Sequence, residues 1–305
     1  MESVDILIIG QGPAGLSSAI YTARAGMRTL ILGCAPKVAG DYEIDNYFGF
    51  TETITGKDLI ERGKFQAAKF GAQIRCDRVL GIHQSDTGIF VAKTEDNDIE
   101  AAAIILATGV SRIRPGISNL GDYEGKGVSY CVSCDGFFMR GKPVVVVGEG
   151  NFAANQALEL LQYTPNVKIC PQGKELSISE EFLYRLEENK IEILEGKIST
   201  LAGENGLEKV KLESGDEIDA QGLFVAMGQA SSSDFAYSLG LLRNGQFIET
   251  DREQRTNVPG IFAAGDCVGR FLQISVAVGE GALAGRAAIS HVKERRRALL
   301  DKEAK

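Results

Sequence analysis

A chain of 305 residues is longer than one compact core usually requires, and domains of roughly 100 to 200 residues make two the expectation. With 44% apolar and 24% charged residues, the composition is that of an ordinary globular protein and excludes extended disorder. A net charge of −8 lacks the basic field that phosphate neutralisation needs, which excludes a general nucleic-acid binder and leaves small molecules or proteins as partners.

The opening Met1-Glu2-Ser3-Val4-Asp5 carries acidic residues where a secretory signal would be basic, and the apolar run Ile6 to Ile9 is too short to span a membrane. No membrane segment and a cytoplasmic location are expected. Val4 to Ile9 reads as a strand, Gly10-x-Gly12-x-x-Gly15 as a tight turn, and the segment ending near Gly26 as a helix. In such a unit Gly10 permits the turn and Gly12 lets backbone approach a pyrophosphate. Gly15 lets the helix pack on the strand, and the helix N-terminus faces the phosphates. A bound dinucleotide is predicted here. The next strand, Arg28 to Cys34, ends in Gly33 and Cys34 where a carboxylate for a ribose hydroxyl is expected. A flavin nucleotide tolerates that departure if other segments hold it.

Two later segments qualify. Ala101 to Gly109 reads as a buried strand ending at Thr108 and Gly109, and Val258 to Asp266 as another ending at Gly265 and Asp266. Small residues at both ends admit a ligand, and Asp266 adds a carboxylate for sugar hydroxyls. Between them the first pattern repeats: a strand from Pro143 to Val147, then Gly148-x-Gly150-x-x-Ala153, then a helix from about Phe152 to Leu161. The offset between the glycine turns is that of a whole domain. The predicted fold is α/β, with two Rossmann-like three-layer nucleotide-binding domains, the second inserted in the first. Residues 1–113 and 243–305 form the outer domain and 114–242 the inserted one, with hinges near Arg114-Pro115 and Leu242-Arg243.

Cys131 and Cys134 bracket two residues at the start of the inserted domain. That spacing suits a redox disulfide or half a metal site. No second pair completes a metal site, since His83 and His291 are isolated, so no metal is expected. Both cysteines stand just before a predicted helix, whose N-terminal partial charge favours thiolate. Asp135 can pass a proton as the thiols change state, and it also suits a helix N-cap. Cys34, Cys76, Cys170 and Cys267 have no partner at short spacing and are expected to be small apolar residues. In a reducing compartment, any disulfide in such a chain should be catalytic or regulatory.

Taken in order, GQGPAGLSSAIYTARAG, EIDNYFGF, ILATGVSRIRP, GKGVSYCVSCDGFF and VPGIFAAGDC resemble the low-molecular-weight thioredoxin reductases over nearly the whole chain. The cysteine segment is the most specific of these. The resemblance implies FAD held by Gly10, Gly12, Pro13, Ala14, Gly15, Asn46, Thr108, Gly109, Gly265, Asp266 and Gln273, with Gln273 and Ile274 near the isoalloxazine. It implies that Cys134 faces the flavin, that Cys131 attacks the thioredoxin disulfide, that Asp135 supplies the proton, and that the protein is a homodimer.

One departure bears on the electron donor. Members that use NADPH follow the second glycine turn with a strand ending in an arginine cluster, and here that place reads Ile169-Cys170-Pro171-Gln172-Gly173-Lys174. Lys174 is a point charge without an arginine's bidentate fork. NADH would want a carboxylate at the strand end, and Glu149 puts a negative charge in a turn that should face a pyrophosphate. The closest match is therefore the pyridine-nucleotide-independent subgroup, in which ferredoxin delivers electrons directly to FAD. A related diflavin type fills the degenerate site with a second FAD. A plant-type ferredoxin near −400 mV reducing a thioredoxin near −270 mV releases roughly 6 kcal/mol for the two-electron couple. The alternatives are an NADPH-dependent thioredoxin reductase with an atypical pocket, a flavin dithiol oxidase acting on a small molecule, and a flavin-bound redox sensor. Arg295 to Arg297 suit either a docking patch for an acidic ferredoxin or a solvated helix C-terminus, and the second reading is preferred.

Overall fold

The computed structural model describes residues 2–39, 43–109, 115–130, 132–228 and 232–303, with backbone alone at 37, 133, 134, 232, 233, 302 and 303. Two compact units are present: Met1–Ser111 with Ser231–Lys305, and Arg112–Ala230. Each is built around a parallel sheet of the Rossmann-like kind.

In the first unit the strand Glu2–Ile9 runs parallel between Thr29–Leu32 and Ile99–Leu106. Gln73–Arg75 adds a further parallel strand outside Thr29–Leu32. Ile6, Leu7, Ile8, Leu30, Ile31 and Leu32 are completely buried, as continuous apolar runs must be when both faces of a parallel sheet are covered. Ile99–Leu106 divides its outer edge. Its first half pairs antiparallel with Phe90–Thr94 and its second half parallel with Ile261–Ala263. The carboxyl ends at Ile9, Leu106 and Ala263 therefore come to one edge of the sheet, where open α/β sheets bind ligands.

The chain returns to this unit earlier than expected. The helix Ser232–Ser238 contacts Val79–Gln84 and Phe247–Ile248, and Phe235 and Ala236 are buried there. The segment 232–242, read from the sequence as part of the insertion, is thus anchored to the first unit by apolar packing that turn and strand signals do not reveal. The first crossing expected at Arg114 lies outside the described residues.

The helices Pro13–Arg24 and Ile274–Glu303 pack backbone to backbone. Ser17 Oγ donates to Val278 O at 2.7 Å and Ser18 Oγ to Gly281 O at 2.9 Å. At the far end, Arg296 pairs with buried Asp5 at 2.6 Å and Arg295 donates to Thr87 O. Burial alone would raise the Asp5 carboxyl, but bonds from the Arg28 backbone, Arg296 and the Arg28 side chain hold it below the usual range. None of the described helices is long and apolar enough to cross a membrane.

The second unit has a five-stranded parallel sheet in the order Glu192–Ile193, Val167–Cys170, Val144–Val147, Gly222–Val225, Val128–Ser129. An antiparallel sheet of three strands, Ile198–Ala202, Lys209–Leu212 and Glu217–Asp219, completes it. Val145, Val147, Cys170, Leu223 and Val210 share one core.

A Cβ at Gly281 would fall 2.2 Å from Ala14 O, whereas one at Gly279 would meet nothing within 4 Å. Replacing glycine by alanine in a helix interior gains roughly 0.5–1 kcal/mol, so the two sites should respond with opposite sign. Gly281→Ala is expected to lose about 1–3 kcal/mol through overpacking, and Gly279→Ala to gain the propensity term, both measured by denaturant unfolding.

Candidate active site and nucleotide pockets

The first glycine turn is shaped by two different demands. Cβ atoms at Gly10 and Gly15 would lie 2.1 Å from Ala107 O and 1.9 Å from Gly10 O, so the fold itself requires glycine there. A Cβ at Gly12 would meet no protein atom within 4 Å; that opening faces whatever the turn binds. Pro13 begins the helix, no side chain caps it, and its first turn holds no acidic residue. The uncompensated positive end is an anion site.

Of the other predicted residues, Thr108 and Gly265 lie close to this turn, against Gly10 and Ala14. Thr108 Oγ1 is buried with no hydrogen-bond partner, a state that costs about 1–3 kcal/mol unless something fills it. Asn46 Nδ2 donates to Gln273 Oε1 at 3.2 Å, joining two residues far apart in sequence just before Ile274 starts its helix. Gly265 N donates at 2.8 Å to Glu280, a buried carboxylate that Arg270 approaches at 3.3 Å. Burial pushes Glu280 up; the Gly265 amide and Arg270 oppose this, and nearby Asp266 adds to it. Glu280 escapes sequence reasoning, although a lone acid within VAVGEGALAG is a signal that could have been noticed. Cys267 is settled as structural: it is wholly buried, donates to Leu106 O and Ala264 O, and has its pKa pushed up to about 12 by burial. An orphaned hydroxyl, an open glycine and an uncapped helix end all fit a flavin nucleotide.

The second glycine turn keeps the residues its fold needs and fills the rest with its own side chains. A Cβ at Gly148 would lie 2.2 Å from Ala226 O, the counterpart of Gly10. Lys174 pairs directly with Glu149, whose other oxygen is buried without a partner. Ser177 N donates to Glu149 O at 2.7 Å and Ser179 N to Asn151 Oδ1 at 2.8 Å, strapping the loop after Val167–Cys170 onto the turn. Gln172, at a positive φ of 54°, turns inward. Its amide donates to Pro115 O and Ile198 O and accepts from Ile198 N. Cys170 is buried and its thiol pKa raised, chiefly by that burial. The position where a nucleotide phosphate would seek an arginine is internally satisfied.

Of the thiol pair, Cys131 lies outside the described residues and Cys134 is described in backbone alone. The helix expected after the pair is a single turn, Val132–Asp135, that begins between the two cysteines and passes into a 3-10 turn, Gly136–Met139. Gly136 interrupts it, packed so closely on Tyr163 that a Cβ would come within 2.5 Å of the ring. Asp135 stands at the N-cap position of the 3-10 turn without capping it. Its carboxylate instead accepts from Ser129 Oγ at 2.6 Å, a partner not foreseen from the sequence.

One expectation fails clearly. Cys34 and Cys76, read as unpaired apolar residues, form a disulfide with Cα atoms 4.4 Å apart. Parallel pairing of Thr29–Leu32 with Gln73–Arg75 places Leu32 opposite Arg75, which brings together two cysteines that sequence spacing keeps separate.

A flavin-type nucleotide site in a chain that also carries a Cys131-x-x-Cys134 motif defines a flavin-dependent oxidoreductase acting on disulfides. The comparisons with known proteins make this specific. Residues 4–281 match the model of the pyridine nucleotide-disulphide oxidoreductase family. A thioredoxin reductase of Listeria innocua is 34% identical over 316 residues, covering 99% of this chain and 98% of the relative. The atypical thioredoxin reductase TRi of Desulfovibrio vulgaris Hildenborough is 65% identical, with TM-score 0.94 over 95% of this chain and 98% of that one. A ferredoxin-flavin thioredoxin reductase of Clostridium acetobutylicum is 31% identical, with TM-score 0.71 over 97% and 99% of the two chains. The chain belongs to the pyridine nucleotide-disulphide oxidoreductases, as a flavin disulfide reductase of the low-molecular-weight thioredoxin reductase type that binds FAD.

Thr108→Val removes a buried hydroxyl that has no protein partner among the described residues. Its expected effect is roughly tenfold weaker FAD binding, about one hydrogen bond, with apoprotein stability unchanged or slightly increased. Flavin fluorescence titration and thermal unfolding of the apoprotein measure the two halves.

Proposed function

We propose that this protein is a pyridine-nucleotide-independent flavin thioredoxin reductase whose electrons come from ferredoxin. The observation that carries the reading is the self-filled second pocket. Lys174 is engaged by Glu149, Gln172 by Pro115 and Ile198, and the loop by the turn it covers, so neither a 2′-phosphate nor a free ribose finds its usual partner. Similarity to the ferredoxin-flavin enzyme of C. acetobutylicum supports it. Under this reading Gly10, Gly12, Pro13, Ala14, Gly15, Asn46, Thr108, Gly109, Gly265, Asp266, Gln273 and Ile274 hold FAD. When bound, FAD would supply the conversion of single electrons into the pair that a disulfide needs. Cys134 and Cys131 pass that pair on, and Asp135, oriented by Ser129, holds the proton that accompanies it. The active form is proposed to be a homodimer.

A protein disulfide as substrate has its own support. Phe137 and Phe138 follow the motif directly, pack edge to face with centroids 5.8 Å apart, and are 57% and 64% exposed. Arg140 covers the Phe137 ring at 4.6 Å. Exposed aromatics beside an arginine are the composition of a protein-binding hot spot, which a small dithiol would not need. Arg295 and Arg296 are engaged by Thr87 and Asp5, which supports the preferred reading of a solvated helix C-terminus over a docking patch.

A second reading, NADPH as donor, is favoured by the retained glycine turn at Gly148 and Gly150. Anaerobic titration of the flavin absorbance near 450 nm separates the two. Reduced ferredoxin is expected to bleach the flavin and oxidised thioredoxin to restore it, while NADPH and NADH leave it unchanged; rapid bleaching by NADPH establishes the second reading. In Cys131→Ser the flavin should still bleach with ferredoxin, and thioredoxin turnover should vanish.

A further inference from the structure

The Cys34–Cys76 cross-link takes no part in the electron route above, and its surroundings assign it a different role. Cys34 stands just past the strand Thr29–Leu32, where a nucleotide unit usually places its ribose-binding carboxylate. Cys76 directly follows Gln73–Arg75. Both arms of the cross-link reach the first glycine turn. Gln11 Nε2 donates to Arg75 O at 2.8 Å, and Gly33 lies so close that a Cβ on it would sit 3.4 Å from Gln11 N and 3.5 Å from Gly10 Cα. The disulfide is also accessible, with Cys76 exposed and Cys34 half-buried, unlike the buried free thiols Cys170 and Cys267.

We infer that Cys34–Cys76 is a second thiol-exchange site, that its substrate is a protein dithiol such as reduced thioredoxin, and that opening it loosens FAD at the ribose end. A thiolate of the dithiol attacks the exposed Cys76 sulfur, the Cys34–Cys76 bond breaks, and Cys34 leaves as a thiolate. The second thiol of the donor then attacks its own sulfur in the mixed disulfide and releases Cys76. The donor gives up two electrons and becomes a disulfide; Cys34 and Cys76 take up the electrons and, with the donor's two protons, become thiols. Released from each other, the strand ends no longer hold Gln11 and Gly33 together against the turn. An enzyme that makes reduced thioredoxin thereby meets its own product at its flavin site. The inference rests on the family's FAD and thioredoxin, and is independent of which donor reduces the flavin.

The test uses FAD-loaded Cys131→Ser/Cys134→Ser protein, in which Cys34 and Cys76 are the only cysteines outside the buried pair. Reduced thioredoxin is added anaerobically, iodoacetamide follows without denaturant, and peptides are mapped by mass. Native alkylation of both Cys34 and Cys76 is expected, together with roughly tenfold faster release of fluorescent FAD, the equivalent of about one lost hydrogen bond. Cys34→Ser/Cys76→Ser should show the faster release from the start and no response to thioredoxin, with circular dichroism confirming its fold; if it does not fold, labelling and release in the first variant decide. Alkylation only under denaturant, or alkylation without faster FAD release, overturns the inference. Because neither readout needs ferredoxin or turnover, a failed ferredoxin assay leaves this result intact.

Discussion

The parallel hydrogen bonding of Ile99–Leu106 to Glu2–Ile9 on one side and to Ile261–Ala263 on the other is the constraint on which the first unit depends. Its register sets Ile9 beside Leu106 and Leu106 beside Ala263. The glycine turn, Thr108 and the Gly265–Asp266 turn, drawn from three remote parts of the chain, are thereby brought to one edge. The close packing of Pro13–Arg24 on Ile274–Glu303, with serine hydroxyls bonded to opposing carbonyls, then brings Glu280 to the amide of Gly265. Removing the shared strand pairing would separate every one of these groups.

The two glycine turns show how a duplicated unit changes its use without changing its shape. Gly10 and Gly148 are both held by a facing carbonyl, of Ala107 and Ala226, and these are demands of strand–turn–helix geometry that persist whatever is bound. What differs is the polar lining. The first turn leaves an uncapped helix end and an unpartnered threonine hydroxyl, which is an energetic debt that a ligand can settle. The second helix end is also uncapped and one Glu149 oxygen is buried without a hydrogen bond, but Lys174 pairs with Glu149, Ser177 N with Glu149 O, and Gln172 with Pro115 and Ile198.

The sulfur atoms separate along similar lines. Desolvation keeps Cys170 and Cys267 protonated and inert. Cys34 and Cys76 sit at the ends of neighbouring strands, near solvent and near the flavin turn. The Cys131-x-x-Cys134 motif overlaps in sequence with the one-turn helix Val132–Asp135, whose Asp135 is bonded to Ser129. Environment rather than residue type assigns each its chemistry.

Much of this was legible in the residues. The alternation of β-branched runs, glycine turns and helical segments determined an α/β fold with two nucleotide-binding units, because Gly10, Gly15 and Gly148 stand where strand–turn–helix geometry leaves no room for a side chain. The absence of an arginine cluster after Cys170 was equally plain. Tertiary structure decided what depends on neighbours remote in sequence. The pairing of Cys34 with Cys76 came from strand register, the bond between Asn46 and Gln273 from the meeting of two loops, and the occupation of Gln172 and Lys174 from side-chain direction. The packing of Ser232–Ser238 on the first unit came from the burial of Phe235. Local propensity and spacing carry no term for such contacts, since hydrogen bonds and apolar burial between distant segments exist only after the sheet has set which ends lie side by side.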